Sequence, residues 1–232
     1  MHFQHADDIW RDFPELSAGA LFIDGISGGV SVEDHVRQFQ AIANDRLGSG
    51  SESDLPEIQA WRRTFAKMGL KPTQYRSASE ALLRRFRKEG DLPSIHPLID
   101  LCNAASLAFA IPIAVFDLAQ VAGHLHVCRA SGNEHYLTFS GETENPDPAE
   151  VVFTDAEGRA HARRWTNRQS GLSAIRPETT RALIVAEALQ ETAREDIDRL
   201  LTVLSPAIEQ SWGARPSVAM LDRWSPRFDF SV

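Results

Sequence analysis

The order of helix-like and strand-like segments is the feature of this sequence that most restricts its fold. Most of the first half has the periodicity of amphipathic helices. From about residue 120 the chain consists of short β-branched or alternating stretches separated by Gly, Asn and Pro. Helices followed by strands, without regular βαβ alternation, are typical of an α+β architecture. We therefore predict one α+β domain.

The segment boundaries are marked by ordinary capping residues. Ser31 is a candidate N-cap, as is Ser77 or Ser79, while Pro97 suits a first helical turn and Gly90 a helix end. The predicted helices are SVEDHVRQFQAIANDRL, LPEIQAWRRTFAKMG, SASEALLRRFRKEG, PLIDLCNAASLAFA and REDIDRLLTVLSPAIEQSW. The predicted strands are GALFIDGI and IAVFDL, then an antiparallel section of HLHVCRA, HYLTFSG, EVVFTDAEG and RAHARRW, and finally TTRALIVAEAL.

Composition excludes several classes of protein. The chain is 43% hydrophobic and 24% charged, as in ordinary globular proteins, and it has no apolar window of about 18 residues that could span a membrane. Its N-terminal stretch lacks the basic and then apolar run of a signal peptide. The two cysteines, Cys102 and Cys128, suit a reducing compartment. We expect a cytoplasmic protein without a membrane partner.

The histidines give little indication of a metal site. They are scattered along the chain, and no HExxH or Cys-rich spacing is present. His124 and His126 could lie on one face of a strand, although a solvated strand face is the more common arrangement. The sequence predicts no metal and no cofactor.

Charge is distributed unevenly along the chain. The net charge is −8, which argues against DNA binding and against broad nucleic-acid binding. Residues 61–90, however, contain nine basic and two acidic residues, a local net charge of +7. This asymmetry is consistent with a localised anionic partner, and equally with two solvated helix faces.

Three stretches resemble a known family. They are WRRTFAKMGLKPTQYRSASEALLRRFRKEGDLPSIHPLIDLCNAASLAFAIPIAVFDL, SGETENPDPAEVVFTDAEG and RRWTNRQSGLSAIRPETTRALIVAEAL. In this order they are similar to the B3/B4 domain of the bacterial phenylalanyl-tRNA synthetase β subunit, and more closely to free-standing B3/B4 proteins. The resemblance implies a mixed sheet whose later strands close over a pocket. It also implies editing chemistry, because in the synthetase this domain hydrolyses mischarged tyrosyl-tRNA.

The resemblance divides the chain into three parts. We expect a B3/B4-like domain at 55–212, preceded by an N-terminal strand and helix extension at 1–54 that packs on it. The aromatic tail at 213–232 is expected to pack on the body or on a partner, which would allow a homo-oligomer.

The pocket residues implied by the resemblance carry over only in part. A Thr-Asn pair of the family is Cys102-Asn103 here, and its pocket histidine is replaced by Ala114. The glycine-rich segment reads RQSG at 168–171, and we expect no acid in the place of the family's substrate-reading glutamate. Tyrosine recognition by the synthetase's own contacts is therefore not predicted.

Several residues are candidates for ligand contact, each with a structural alternative. Asn103 lines a pocket or caps a turn, and Cys102 lies beside it but fits an inert core thiol better. Glu142 binds an amino group or lies in an exposed loop. The polar run of Arg168, Gln169 and Ser170 binds an anionic group or forms a surface turn. The candidate RNA contacts are Arg84, Arg85, Arg87 and Lys88.

These observations favour a stand-alone editing-like domain that hydrolyses an aminoacyl-tRNA or a related aminoacyl ester in trans. An aminoacyl ester is already activated, so a positioned water and a few hydrogen-bond donors suffice. The alternative is a non-catalytic module that binds an amino-acid-like small molecule or RNA.

Overall fold

The computed structural model describes residues 1–48 and 50–231, which form six α-helices and two β-sheets. The helices are α1 (Asp7–Asp12), α2 (Glu33–Leu47), α3 (Pro56–Lys67), α4 (Ala78–Glu89), α5 (Pro97–Phe109) and α6 (Ala193–Trp212). The strands are β1 (His2–His5), β2 (Ser17–Asp24), β3 (Ile113–Asp117), β4 (His124–Arg129), β5 (His135–Leu137), β6 (Thr143–Glu144), β7 (Val151–Thr154), β8 (Arg159–Arg163), β9 (Arg168–Gln169), β10 (Arg181–Ala188), β11 (Ser217–Leu221) and β12 (Arg227–Asp229). The predicted α+β class is confirmed. Within these residues no helix has both the length and the apolar character needed to cross a membrane.

The smaller sheet, which we call the central sheet, has the antiparallel order β11-β2-β10-β3. Strands β2 and β10 pair along all eight residues of each. Both faces of this sheet are covered, since side chains of β2 and β10 contribute to two separate hydrophobic clusters. Coverage on both faces explains why these strands appear in the sequence as continuous apolar runs.

Helices α5 and α6 cover one face of the central sheet. The approach of α6 is unusually close at Gly19, where an added Cβ atom would lie 2.8 Å from Cγ2 of Ile197. Leu21 of β2 and Ile184 of β10 point into this layer and are fully buried. The strand-like sequence of β2 therefore needs glycine at this one position because a helix packs directly against it.

The larger sheet, which we call the outer sheet, has the order β12-β1-β4-β7-β8-β5-β6, with β9 added to β8. Pairs β1–β4 and β5–β8 are parallel and the others antiparallel, so the sheet is mixed, as the resemblance implies. The antiparallel prediction for the second half is wrong for β5 and β8, because alternating patterns do not reveal strand direction. The inner face packs on the central sheet through residues such as Phe3, Val127 and Phe153.

The terminal segments complete both sheets. Strands β1 and β2 precede residue 55 and strands β11 and β12 follow residue 212, so each sheet contains a strand from either end of the chain. Phe228 and Phe230 are buried in the cluster between the two sheets. The tail thus packs on its own body, and these aromatic side chains are not available to a second copy. The boundaries at 54 and 212 stay a prediction.

Capping residues hold the first turns of α4 and α5 and mark the end of α4. Oγ of Ser77 accepts a hydrogen bond from the backbone N–H of Glu80, and Gly90 ends α4 with φ of 80°, both as predicted. His96 caps α5, since its Nδ1 accepts from the N–H of Leu98 at 3.2 Å. Helix α2 begins after Val32 without a side-chain cap, so the predicted Ser31 cap is wrong.

Candidate functional site

A cavity of about 60 Å³ lies at the seam where the edge of the central sheet meets the outer sheet. Its apolar wall comes from β3, β7, β8 and β10 and includes Ile113, Ala114, Phe153 and Val185. Its polar wall comes mainly from residues 165–169, which connect β8 to β9 and enter it. The cavity is smaller than most small-molecule sites, but its lining has their character, since it combines apolar walls with a small number of polar groups.

Glu187, near the end of β10, is the acidic residue of the lining and is only 2% exposed. Its Oε1 accepts hydrogen bonds from Nε2 of His5 at 2.6 Å and from Nε1 of Trp165 at 2.8 Å. Nδ1 of His5 is buried and has no partner among the described residues. Nε2 is thus the ring nitrogen of His5 that binds the carboxylate, and the hydrogen-bonding capacity of Nδ1 is unused.

Apart from His5, no basic side chain of the described residues contacts Glu187. Across residues 1–48 and 50–231, no Lys or Arg nitrogen lies within ion-pair distance of this carboxylate. Both neighbours, His5 and Trp165, bind the same carboxylate oxygen, Oε1. A buried carboxylate is costly unless it is paired, so this position at a cavity suits a cationic ligand group.

An unusual turn positions Trp165. Arg164 and Trp165 both have left-handed backbone conformations, with φ of 47° and 59°. Such angles are uncommon outside glycine, and strained residues cluster at functional sites. Glu150 holds the turn by accepting from the N–H of Arg164 at 2.9 Å and from both Nε and Nη2 of the buried Arg163. Burial opposes ionisation of Glu150, but the bonds from Arg163 outweigh it and lower the pKa of Glu150.

The rim of the cavity joins the turn to the start of α4. The N–H of Ala78 donates to the carbonyl of Thr166 at 2.8 Å, and Nδ2 of Asn167 donates to the carbonyl of Arg76 at 2.8 Å. Nε2 of Gln169 donates to the carbonyl of Val115 in β3 at 2.6 Å. Oγ1 of Thr166 is buried and has no partner in the described part of the chain. Thr166 is thus a rim side chain with hydrogen-bonding capacity left for a ligand.

Comparison with known proteins identifies the family of this chain. Residues 60–205 match the family model of the B3/4 domain, which is more than half of the chain and includes most of the cavity's lining. The chain belongs to the B3/4 domain family. The resemblance seen in the sequence is therefore confirmed.

The curated relatives of this B3/4 protein are much longer chains. The phenylalanine–tRNA ligase beta subunit of Bradyrhizobium diazoefficiens is 39% identical over 79 residues, which are 34% of this chain and 10% of that subunit. The corresponding subunit of Rhodopseudomonas palustris is 34% identical over 121 residues, or 52% of this chain and 15% of that subunit. An N-terminal fragment of the phenylalanyl-tRNA synthetase beta subunit from Pyrococcus horikoshii aligns with 52% of this chain and 41% of the fragment at 14% identity, with a TM-score of 0.42.

Two predicted contact residues of the B3/4 domain line the cavity. Arg168 and Gln169 are part of its polar wall. The guanidinium of Arg168 lies over the ring of Tyr136 and pairs with Glu144 at 3.3 Å. Ser170 is fully buried and donates to the carbonyl of Leu137 at 2.8 Å, so it connects strands instead of lining the cavity.

Three other candidates lie elsewhere. Glu142 is exposed in the loop before β6, outside the cavity lining. Asn103 lines a different cleft, of about 220 Å³, between α2 and α5. Cys102 is 1% exposed in the core, where burial raises the pKa of its thiol and keeps it protonated. The expected single pocket of Asn103, Glu142 and residues 168–170 is therefore not formed.

An acidic residue nevertheless reaches the cavity from another strand. The segment 168–171 indeed supplies none, but β10 brings Glu187 to the cavity from a position 16 residues beyond Gly171. Sequence reasoning missed it because its partners His5 and Trp165 are remote in the chain. The available signal was a single glutamate inside the apolar run ALIVAEAL, since buried acids are rare without a role.

The predicted RNA contacts lie on α4, whose first residue, Ala78, lines the cavity. At 1.5 Å per residue they are about 9 to 15 Å along the helix from that end. Arg84 and Arg87 both pair with the buried Glu52, at 3.2 Å and 3.1 Å. Arg85 pairs with Glu89 at 2.7 Å, and Lys88 shares the same basic surface. Two of the four residues therefore have a structural role that the sequence did not reveal.

Proposed function

We propose that the cavity binds the aminoacyl group of an aminoacyl-tRNA or a related aminoacyl ester, and that the protein hydrolyses this ester in trans. The observation that carries the proposal is the buried carboxylate of Glu187 at the cavity, whose contacts among the described residues are His5 and Trp165, with no Lys or Arg partner. Family membership supports a tRNA-related role, because the curated relatives are phenylalanine–tRNA ligase beta subunits.

The ammonium group of the amino acid is the partner that we assign to Glu187. An ammonium carries three N–H donors and one positive charge, and a carboxylate accepts through two oxygens. His5 and Trp165 both occupy Oε1, so the second oxygen supplies acceptor capacity for the ligand. Binding would compensate a charge that the fold buries at a cost, which makes recognition of a cationic group favourable.

The size of the cavity limits the side chain of the ligand. A volume of about 60 Å³ is less than half of the roughly 150 Å³ of an engineered apolar cavity that holds benzene. The wall of Ile113, Ala114 and Val185 is apolar. We therefore expect a small or aliphatic aminoacyl group, and not the tyrosyl group that the resemblance implies for the synthetase.

Hydrolysis would take place at the rim. The ester carbonyl extends from the ammonium toward Thr166 and Arg168, whose hydroxyl and guanidinium offer donors to the oxygen that gains negative charge. A water held there attacks an ester that is already activated, so no protein nucleophile is needed. The basic surface of α4 would contact the phosphates of the tRNA.

A deacylation screen tests this proposal directly. The purified protein is incubated with a panel of correctly and incorrectly charged tRNAs, and loss of the aminoacyl group is followed over time. We expect turnover of an ester with a small side chain, and a decrease in kcat/KM of about 100-fold, or about 2.7 kcal/mol, in Glu187→Gln.

Glu142→Gln is the matched control, because it makes the same chemical change at an exposed position outside the cavity. Its kcat/KM should stay within about twofold of wild type. Absence of turnover on every ester by the folded wild-type protein would reject the hydrolase. In that case the same cavity favours a non-catalytic module that binds small amino acids. Calorimetry with free amino acids would detect this binding, and Glu187→Gln would abolish it.

The tRNA contact is tested separately by charge reversal on α4. The double variant Arg85→Glu, Lys88→Glu avoids Arg84 and Arg87, which hold the buried Glu52. We expect weaker tRNA binding and a shallower dependence on salt, by about one to two units in the log–log slope. Arg223→Glu, at an exposed position in the C-terminal segment, is the control with unchanged slope. An unchanged slope in the double variant would remove α4 from the tRNA contact.

A further inference from the structure

Three histidines meet on the solvent-facing side of the outer sheet, on strands β1 and β4. The two strands are parallel, and their register places His2 beside His124 and Gln4 beside His126. Neighbouring residues on the same strand point to opposite faces, so Phe3 and His5 point inward while His2 points outward. His124 and His126 alternate with the buried Leu125 in the same way. All three imidazoles are half-buried on one patch.

The ring nitrogens of this patch lie close together, and two of the imidazoles share a hydrogen bond. Nε2 of His2 lies 2.8 Å from Nε2 of His126. The rings of His124 and His126 are stacked with centroids 3.8 Å apart. One ring nitrogen from each of the three residues falls within 4.8 Å of the others. Nitrogens bound to one tetrahedral Zn²⁺ at 2.0–2.1 Å are separated by about 3.3 Å, so small side-chain rotations bring the three into range.

We propose that His2, His124 and His126 bind a divalent transition metal, with Zn²⁺ as the ion whose coordination they fit. Three neutral imidazoles with no thiolate are a set that Zn²⁺, Ni²⁺ and Cu²⁺ accept and that Mg²⁺ and Ca²⁺ do not. Three protein ligands at a half-exposed position leave the fourth tetrahedral position to water.

The neighbouring charged groups do not add a fourth protein ligand. Asp229 of β12 pairs in register with His2, but both of its carboxylate oxygens accept hydrogen bonds from Arg227. This ion pair leaves no unpaired carboxylate beside the patch, and Arg227 and the N-terminal ammonium of Met1 are the positive charges near His2. The site is also separate from the cavity, because Glu187 and His5 lie on the other side of the outer sheet.

The proposal departs from the sequence-based expectation of no metal. Two of the imidazoles, at 124 and 126, are close in the sequence, but two ligands on a strand are weak evidence for a site. The third comes from a strand 122 residues earlier than His124. Only the parallel pairing of β1 with β4 completes the set.

Metal titration of the full chain, first stripped with a chelator, tests the site. We expect one equivalent of Zn²⁺ to bind, and Co²⁺ at the same site to give the intense visible absorption of a four-coordinate centre. Replacement of one ligand in His126→Gln should weaken Zn²⁺ binding by about 100-fold or more, since loss of an outer-shell contact alone costs 10- to 100-fold. His135→Gln, an exposed histidine of β5, is the matched control with unchanged affinity.

A thermal scan with and without Zn²⁺ provides the second readout, because an ion that binds the folded state alone raises Tm. Wild type and His135→Gln should gain Tm with Zn²⁺, whereas His126→Gln and His2→Gln should not. Zn²⁺ binding that is equal in wild type, His126→Gln and His2→Gln would overturn the proposal. Failure of the wild-type protein to bind Zn²⁺ or Co²⁺ in a defined ratio would overturn it as well.

Discussion

His5 and His2 belong to the same short strand, but they lie in opposite environments. His5 points inward, is 1% exposed and donates to a buried carboxylate. His2 points outward and meets two further imidazoles on a half-exposed patch. The same residue type, three positions apart, thus belongs to a buried polar cluster on one face of the outer sheet and to a candidate metal site on the other.

The two faces differ in what holds their polar groups in place. On the inner face, packing allows one arrangement of the polar side chains. A hydrogen bond lost there leaves a buried polar group without a partner, which destabilises the fold. On the outer face, water can replace any lost hydrogen-bond partner. The imidazoles can therefore give up their contacts with one another and bind an ion instead. Substitutions that are matched across the two faces should therefore differ strongly in their effect on stability.

The largest difference in the free energy of unfolding should appear between substitutions of two tryptophans. Trp165 is fully buried, lies edge-on to Trp61 and Phe13, and donates to Glu187. Trp165→Ala should lower the free energy of unfolding by about 4 kcal/mol, through the cavity it leaves. Trp224→Ala, at a position 78% exposed, should stay within about 0.5 kcal/mol. Urea unfolding of both variants measures this, and similar losses would contradict the assigned burial.

A smaller difference is expected between the two histidines of β1. His5→Ala removes a hydrogen bond from the buried Glu187 and should cost about 2 to 3 kcal/mol. His2→Ala, measured in chelator so that no metal contributes, should change stability by less than about 0.5 kcal/mol. Chemical denaturation at neutral pH provides both values. If His2→Ala proved the more damaging, the inward and outward assignment of β1 would be wrong.

The smallest difference in stability is expected between two aspartates, and it depends on pH. Burial opposes the charge of Asp155, but hydrogen bonds from His161, Arg159 and backbone N–H groups outweigh burial and hold its pKa well below the ordinary value. Because the pKa is lowered in the folded state, its contribution is complete above the unfolded pKa of about 3.9 and is lost as pH falls further. Asp155→Asn should cost about 1.5 kcal/mol at pH 7.

The pH profile separates this charge effect from a general loss of packing. Wild type should lose stability between about pH 4 and pH 2, and Asp155→Asn should show a shallower decline over that range. Asp45→Asn, which changes an exposed residue of α2, is the control whose profile should follow wild type. Parallel profiles for wild type and Asp155→Asn would show that this carboxylate does not titrate as inferred.

Much of the fold could be predicted from local patterns. The predicted segments correspond to α2 to α6 and to the main strands, and Ser77 and Gly90 bound α4 as expected. Strand direction could not be predicted, as the parallel pair β5–β8 shows. Alternation reports which side of a strand is buried, and it carries no information on which strand lies beside it.

The candidate site was harder to predict than the fold. Arg168 and Gln169 line the cavity, and they were recognised as a polar run before a strand. Glu187 was missed, while Asn103 was assigned to a pocket that it does not share with them. The partners of Glu187 lie 182 and 22 residues away in the sequence, so no local pattern could join them.

The sequence by itself determined the α+β class, the helix boundaries to within a few residues, the family, and the uneven distribution of charge. Only the tertiary structure decided that Glu187 and His5 meet at a cavity, that Arg84 and Arg87 hold a buried glutamate, and that His2 joins His124 and His126. The physical reason is the distance along the sequence over which each effect acts. Propensity, capping and amphipathic periodicity act over a few residues, whereas a site forms from side chains that sheet pairing brings together across the whole chain.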